Sequence, residues 1–278
     1  MLSLLAISLL ISSCKKDKSE ILTDLLYDVA VEGNQVTFTV KSEGVSDYRW
    51  DFGDGETSTE PNPVHTYPGK GKYVPTLFAT VNGKPAEAST VLRISKSTPV
   101  KINDNSLADW ATITTSIPLG KFKGVFNEVK LDYDGNYVYV YIDMAGRKAN
   151  GDIFDFYIDG DNNLATGLLT GTFTEGAYDI LLEGQLLTGS MDIFYHTGSD
   201  QDAFNFSPQS ISEAYQVGTV TEANNSVKFE MRIARGKLKG LTGTGLRMAI
   251  QAIKNDWSAM LGSAPDDGTP SYMLDMSE

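Results

Sequence analysis

The 278-residue chain has a single cysteine, Cys14, and two histidines, His65 and His196. One thiol can make neither an internal disulfide nor a thiolate metal site. Basic residues are few: 23 Lys and Arg stand against 36 Asp and Glu, a net charge of -13. Without a basic footprint there are no counterions to release, which argues against nucleic acid or an anionic membrane surface as partner. No long window carries helical periodicity. Long apolar runs are also missing, and Leu2 to Ile11 is too short to span a bilayer as a helix. What remains is ordinary globular composition, 41% hydrophobic and 21% charged, over a length that suits two domains.

The apolar run at the N-terminus fits a signal-peptide core. It ends in Ile11-Ser12-Ser13-Cys14, an aliphatic residue, two small ones and the cysteine. This resembles the bacterial lipobox. The resemblance implies a signal peptide over 1–13, lipidation of Cys14 as the first mature residue, and an acyl anchor in the outer membrane, on its surface or periplasmic face. No Lys or Arg precedes the run, so the expectation is a start that lies further upstream. Residues 14–24 then read as a solvated tether.

Strand patterning begins with Gln35 to Val40, where Val36, Phe38 and Val40 share one face. Tyr48-Arg49-Trp50-Asp51-Phe52-Gly53-Asp54-Gly55 follows, then Asn62-Pro63-Val64-His65-Thr66-Tyr67 and Gly71-Lys72-Tyr73. Gly53 and Gly55 suit a tight turn at positive φ, and Asp51 and Asp54 suit its capping. Trp50 and Tyr67 read as core, and His65 as a structural residue. The order resembles the PKD domain, which implies an immunoglobulin-like sandwich over 25–97 acting as spacer or contact module.

Lys96-Ser97-Thr98-Pro99 is a polar break, and a second domain is expected over 98–278. Val138, Val140 and Ile142 alternate with Tyr137, Tyr139 and Tyr141. The tyrosine row fits either an exposed platform or an inner face. Val227, Phe229, Met231 and Ile233 alternate with Lys228, Glu230 and Arg232. The fold class is therefore all-β, two β-sandwiches in series. Asp104 to Trp110, Val129 to Asp143, Phe154 to Gly167 and Gly176 to Asp179 together resemble family 9 carbohydrate-binding modules and related DOMON-like sandwiches. That resemblance implies a glycan-binding accessory protein, with polysaccharide or oligosaccharide as ligand and outer-membrane glycan-uptake proteins as partners.

Asp159, Asp161 and Asn163 fall at alternate positions of Asp159-Gly160-Asp161-Asn162-Asn163. A tight turn can aim three hard oxygens at one point, which suits Ca2+. An Asx-rich turn without metal is the plain alternative. The family resemblance favours a structural calcium ion and adds Asp179 as a fourth ligand.

For a sugar ring the aromatic candidates are Trp257, in the polar stretch Asn255 to Ser258, with Tyr272 and Tyr195. Trp257 fits a stacking role or a cover folded over the core end, with equal weight. No motif selects a pair of catalytic carboxylates, and His196 has no nucleophile elbow beside it. The chain reads as a binder and not an enzyme. A structural or adhesion protein contacting another protein is the alternative, and an orphan glycan hydrolase the third reading.

Overall fold

The computed structural model describes residues 24–277. Cys14, the signal-peptide core and nearly all of the tether lie outside the described residues. The structure is almost wholly β, and no described helix is long and apolar enough to cross a membrane.

Nine strands form the first group: β1 (Tyr27–Glu32), β2 (Gln35–Val40), β3 (Val45–Asp51), β4 (Thr57–Ser58), β5 (Val64–Thr66), β6 (Gly71–Tyr73), β7 (Thr76–Val81), β8 (Lys84–Ser89) and β9 (Leu92–Ile94). They make one sheet β1-β2-β5, another β4-β3-β7-β8, and the pair β6-β9. Phe38 and Trp50 are fully buried, with ring centroids 5.0 Å apart, and the Trp50 indole donates to the Glu60 carbonyl at 3.0 Å. Aromatic pairs of this kind contribute about 0.5–1.5 kcal/mol beyond the area they bury.

The turn after β3 behaves as its residues dictate. Gly53 and Gly55 adopt φ of 80° and 99°, and a Cβ on Gly53 would lie 2.9 Å from the Val74 nitrogen. Asp51 accepts the Gly53 amide at 2.9 Å, and Asp54 accepts that of Glu56 at 3.1 Å. The other Asp54 oxygen stands 2.7 Å from His65 Nε2, whose ring stacks on Phe52 at 4.0 Å. Burial raises the Asp54 pKa most, but the bond to His65, the backbone amides of the turn and the His65 charge together outweigh it and hold the carboxyl below its usual range. His65 is thus a scaffold residue that ties the turn to β5.

Eleven strands form the second group: β10 (Phe126–Tyr133), β11 (Tyr137–Ala145), β12 (Ile153–Asp159), β13 (Ile180–Gly184), β14 (Met191–His196), β15 (Phe206–Gln209), β16 (Tyr215–Ala223), β17 (Ser226–Ala234), β18 (Gly245–Ile253), β19 (Met260–Ala264) and β20 (Tyr272–Asp275). The first sheet runs β10-β11-β17-β16. The second runs β15-β14-β13-β12-β18-β19, with β20 also pairing β18. Val138, Val140 and Ile142 face Phe154, Phe156 and Ile158 across the core, together with Phe229 and Met231. Burying each such side chain contributes about 1.5–3 kcal/mol.

The tyrosine row of β11 is not a platform. Tyr139 and Tyr141 are buried beneath Val100, Ile102 and Trp110. β11 is apolar on both faces because both are covered. Trp110 belongs to the core, and its indole donates to Glu230 at 2.7 Å. Burial raises the pKa of Glu230, with that bond working against it.

By compactness the chain divides into two units. Among the described residues, one comprises 24–30, Thr37–His65 and Val74–Val91; the other takes Val31–Val36, Thr66–Tyr73 and 92–277.

Candidate functional site

Three carboxylates meet at one end of the seven-stranded sheet. Asp159 is the last residue of β12, Asp161 lies two positions on, and Asp179 immediately precedes β13. Pairing of Ile158 with Ile180 fixes that approach. One oxygen from each carboxylate lies within 4.8 Å of the others. A glycine makes the packing behind this loop feasible. Gly240, at φ 84°, passes so close that a Cβ there would sit 3.0 Å from the Gly160 carbonyl carbon.

Asp159 is completely buried, and neither of its oxygens has a well-formed hydrogen bond, the Asn162 and Asn163 amides only approaching it. Burial first, then the charges of Asp179 and Asp161, push its pKa up to about 6. Burial and Asp161 also raise Asp179. An unpartnered buried carboxylate is expensive, typically about 1–3 kcal/mol or more, and a cation is the simplest group that would satisfy it. The donor set is all oxygen and all anionic, the chemistry of Ca2+ or Mg2+. Asp161 accepts the Asn163 amide at 3.0 Å, and Asp179 accepts that of Gly160 at 3.2 Å. Asn163, expected as a ligand, instead has its side-chain oxygen on the Ala165 amide at 3.1 Å. It caps the turn, as an Asx residue does.

A cavity of about 440 Å3 opens beside the cluster. Asp161 and Asp179 form part of its wall, with Thr166, Tyr195, His196 and Lys239. The Tyr195 hydroxyl accepts the Lys239 amide at 3.0 Å.

The three aromatic candidates do not converge. Tyr195, Ile180, Ile158, Met248 and Tyr272 form one lateral row across five strands. Its centre is core, and both tyrosines are half-buried against that core. Four strand spacings separate them, about 19 Å. Neither forms a stacking face with Trp257, which lies at the other end of the sheet. Asp159 pairs with Arg247 and Ile153 with Ile253, and Trp257 sits in the turn beyond Ile253. The length of β12 puts the two ends roughly 20 Å apart.

Trp257 itself is 56% exposed and left-handed, at φ 61°. The turn is well braced. Its amide donates to the Lys254 carbonyl at 2.8 Å, Lys254 pairs with Asp256 at 2.8 Å, and the Asn255 side chain donates to the Asn150 carbonyl at 2.7 Å. A cleft of about 570 Å3 adjoins the turn, lined by Asn150, Asp152, Asn225, Lys254 and Asn255 among others. The indole does not fold back over the core.

Sequence reasoning missed a buried acid. Asp155, mid-strand in β12, pairs laterally with Glu183 on one side and Gln251 on the other. It is 3% exposed, and one of its oxygens has no partner. Burial, then Glu183, pushes its pKa up to about 7. The signal was present in Phe154-Asp155-Phe156-Tyr157-Ile158, an acid inside an otherwise apolar strand.

Comparison with known proteins assigns part of the chain. The PKD domain family model matches residues 25–94. Collagenase ColQ1 of Bacillus cereus (strain Q1) is 36% identical over 74 residues, 24% of this chain and 8% of that protein. Collagenase ColA of Clostridium perfringens (strain 13 / Type A) is 27% identical over 217 residues, 75% of this chain and 17% of that protein. The chain therefore spans only a small share of either collagenase. Among solved structures, the PKD1 domain of the Vibrio cholerae metalloprotease PrtV is 32% identical, over 25% of this chain and 93% of that one, with a TM-score of 0.24. A structure described under the promiscuous specificity of carbohydrate-binding modules from the β-sandwich superfamily is 15% identical. It covers 76% of this chain and 90% of that one, with a TM-score of 0.25.

Proposed function

We propose that this chain is a non-catalytic binding protein of the bacterial cell envelope that holds glycan at the Trp257 end of its second sandwich. The observation that carries the reading is the conformation of Trp257. A bulky residue rarely adopts positive φ, and doing so costs about 1–2 kcal/mol. Here it presents a large ring to solvent from a braced turn, beside a cleft edged by amides, a carboxylate and an ammonium group. Rings stack on pyranose faces, and such polar groups bond hydroxyls. The resemblance of residues 104–179 to family 9 carbohydrate-binding modules supports the same reading. The lipobox ending in Cys14 supports an acyl anchor, with the PKD domain as spacer and outer-membrane glycan-uptake proteins as partners.

The second part of the reading is one Ca2+ ion held by Asp159, Asp161 and Asp179. Its role is structural: it would neutralise the buried carboxylates and pin the loop after β12 to the start of β13. Retention of residues 20–278 on polysaccharide affinity gels tests the glycan reading. Trp257→Ala should abolish retention on whichever gel holds the natural chain, with the melting temperature preserved. Retention indifferent to that change would refute the site.

One observation favours a protein ligand instead: the alignment with ColA runs over 75% of this chain. Binding to immobilised collagen, with no retention on any glycan gel, would establish that alternative.

A further inference from the structure

We infer that the cavity beside the acidic cluster is a second ligand site, in which two adjacent hydroxyls of a neutral pyranoside complete the coordination of the bound cation. The inference rests on the calcium reading above and goes beyond a structural ion.

The argument is a count of oxygens. Asp161 and Asp179 each have one oxygen committed to a backbone amide. Asp159 has no well-formed hydrogen bond on either oxygen, the Asn162 and Asn163 amides only approaching it. Four carboxylate oxygens thus remain for an ion that takes about six to eight, leaving two to four positions. Asp159 is completely buried and closes the inner side. Asp161 is exposed, and Asp161 and Asp179 face the cavity of about 440 Å3. The unfilled positions therefore open into that cavity, which has room for a sugar ring alongside Tyr195 and His196.

Charge selects the ligand. Three carboxylates, a divalent ion and Lys239 on the same wall sum to zero. The whole chain carries -13, which disfavours an anionic ligand. A neutral vicinal diol replaces two waters on the ion without adding charge.

Terbium in place of calcium gives a direct test. Tyr178 is buried on this side of the sheet, and the Asp159 charge acts on its hydroxyl, so excitation of tyrosine should sensitise a bound Tb3+ ion. Emission lifetimes in H2O and D2O count the waters on the ion. Two or more waters are expected on the ion in the natural chain, falling by about two, in line with the open positions counted above, when methyl α-D-mannopyranoside or methyl β-D-galactopyranoside is added. Asp159→Asn should lose the emission while keeping its far-UV circular dichroism. A Tb3+ ion with no bound water, or a water number that neither sugar lowers, would overturn the inference and leave the structural ion standing. Absence of sensitised emission from the natural chain would remove the ion and the inference together.

Discussion

Two residues of the second sandwich work against stability, each in a way that can be measured. Trp257 holds a left-handed backbone that asparagine tolerates far better. Trp257→Asn should therefore raise stability by about 1 kcal/mol while removing glycan retention. Chemical denaturation set beside affinity-gel retention checks both halves. Asp155 acts through protons. Its folded pKa, pushed up to about 7, lies above the ordinary carboxylate value. The folded state thus keeps a proton that the unfolded chain has already released. Its favourable contribution is complete below about pH 4 and is lost as pH rises towards about 7. Melting temperatures taken across that range should fall with pH in the natural chain. The fall should be shallower in Asp155→Asn, which cannot ionise; an equal slope in both would remove Asp155 as the cause.

At the scale of the element, register decides what a residue is for. The tyrosines at 195 and 272 are the two ends of a core row, so their loss should be felt in folding. Tyr272→Ala should destabilise the second sandwich by about 2–3 kcal/mol, as half-buried aromatic truncations do, and leave retention on glycan unchanged. Urea denaturation and the same gels separate the two effects. Strand existence was plain in the sequence. The alternation in Tyr137 to Ile142 and Val227 to Ile233 became β11 and β17, and the glycines at 53 and 55 became the turn they require. The spacing of Asp159 and Asp161 was also legible, because both lie in one short loop. Neighbours across the sheet were not. Alternation says which side chains share a face but not which strand lies alongside. The row from Tyr195 to Tyr272 joins positions scattered over five strands. Glu230 was hidden for a related reason: its strand alternates like a half-exposed one, and only the segment from Val100 to Ile113 turns that outer face into interior.

For the whole molecule, the acidic cluster makes folding answer to an ion. Anything that binds only the folded state stabilises it by mass action, about 1.4 kcal/mol at tenfold excess over its dissociation constant. Calcium in millimolar excess should raise the melting temperature of the second sandwich. Magnesium should do less, because it accepts an irregular oxygen cage poorly. Asp159→Asn should abolish the response, and a melting temperature indifferent to calcium in the natural chain would remove the ion from the account. The first sandwich offers no comparable cluster among the described residues, so its transition should stay where it is.

The left-handed tryptophan also has a history written into it. Wherever a side chain is retained at a cost to folding, random change has a preferred direction, here towards glycine or asparagine. A lineage that stopped using this turn would drift that way within few substitutions and gain stability as it did so. Related chains should then sort into two populations at this position: those keeping a flat ring, and those that have relaxed the backbone and lost the ligand. A mixture of unrelated side chains without either preference would mean that selection never acted there.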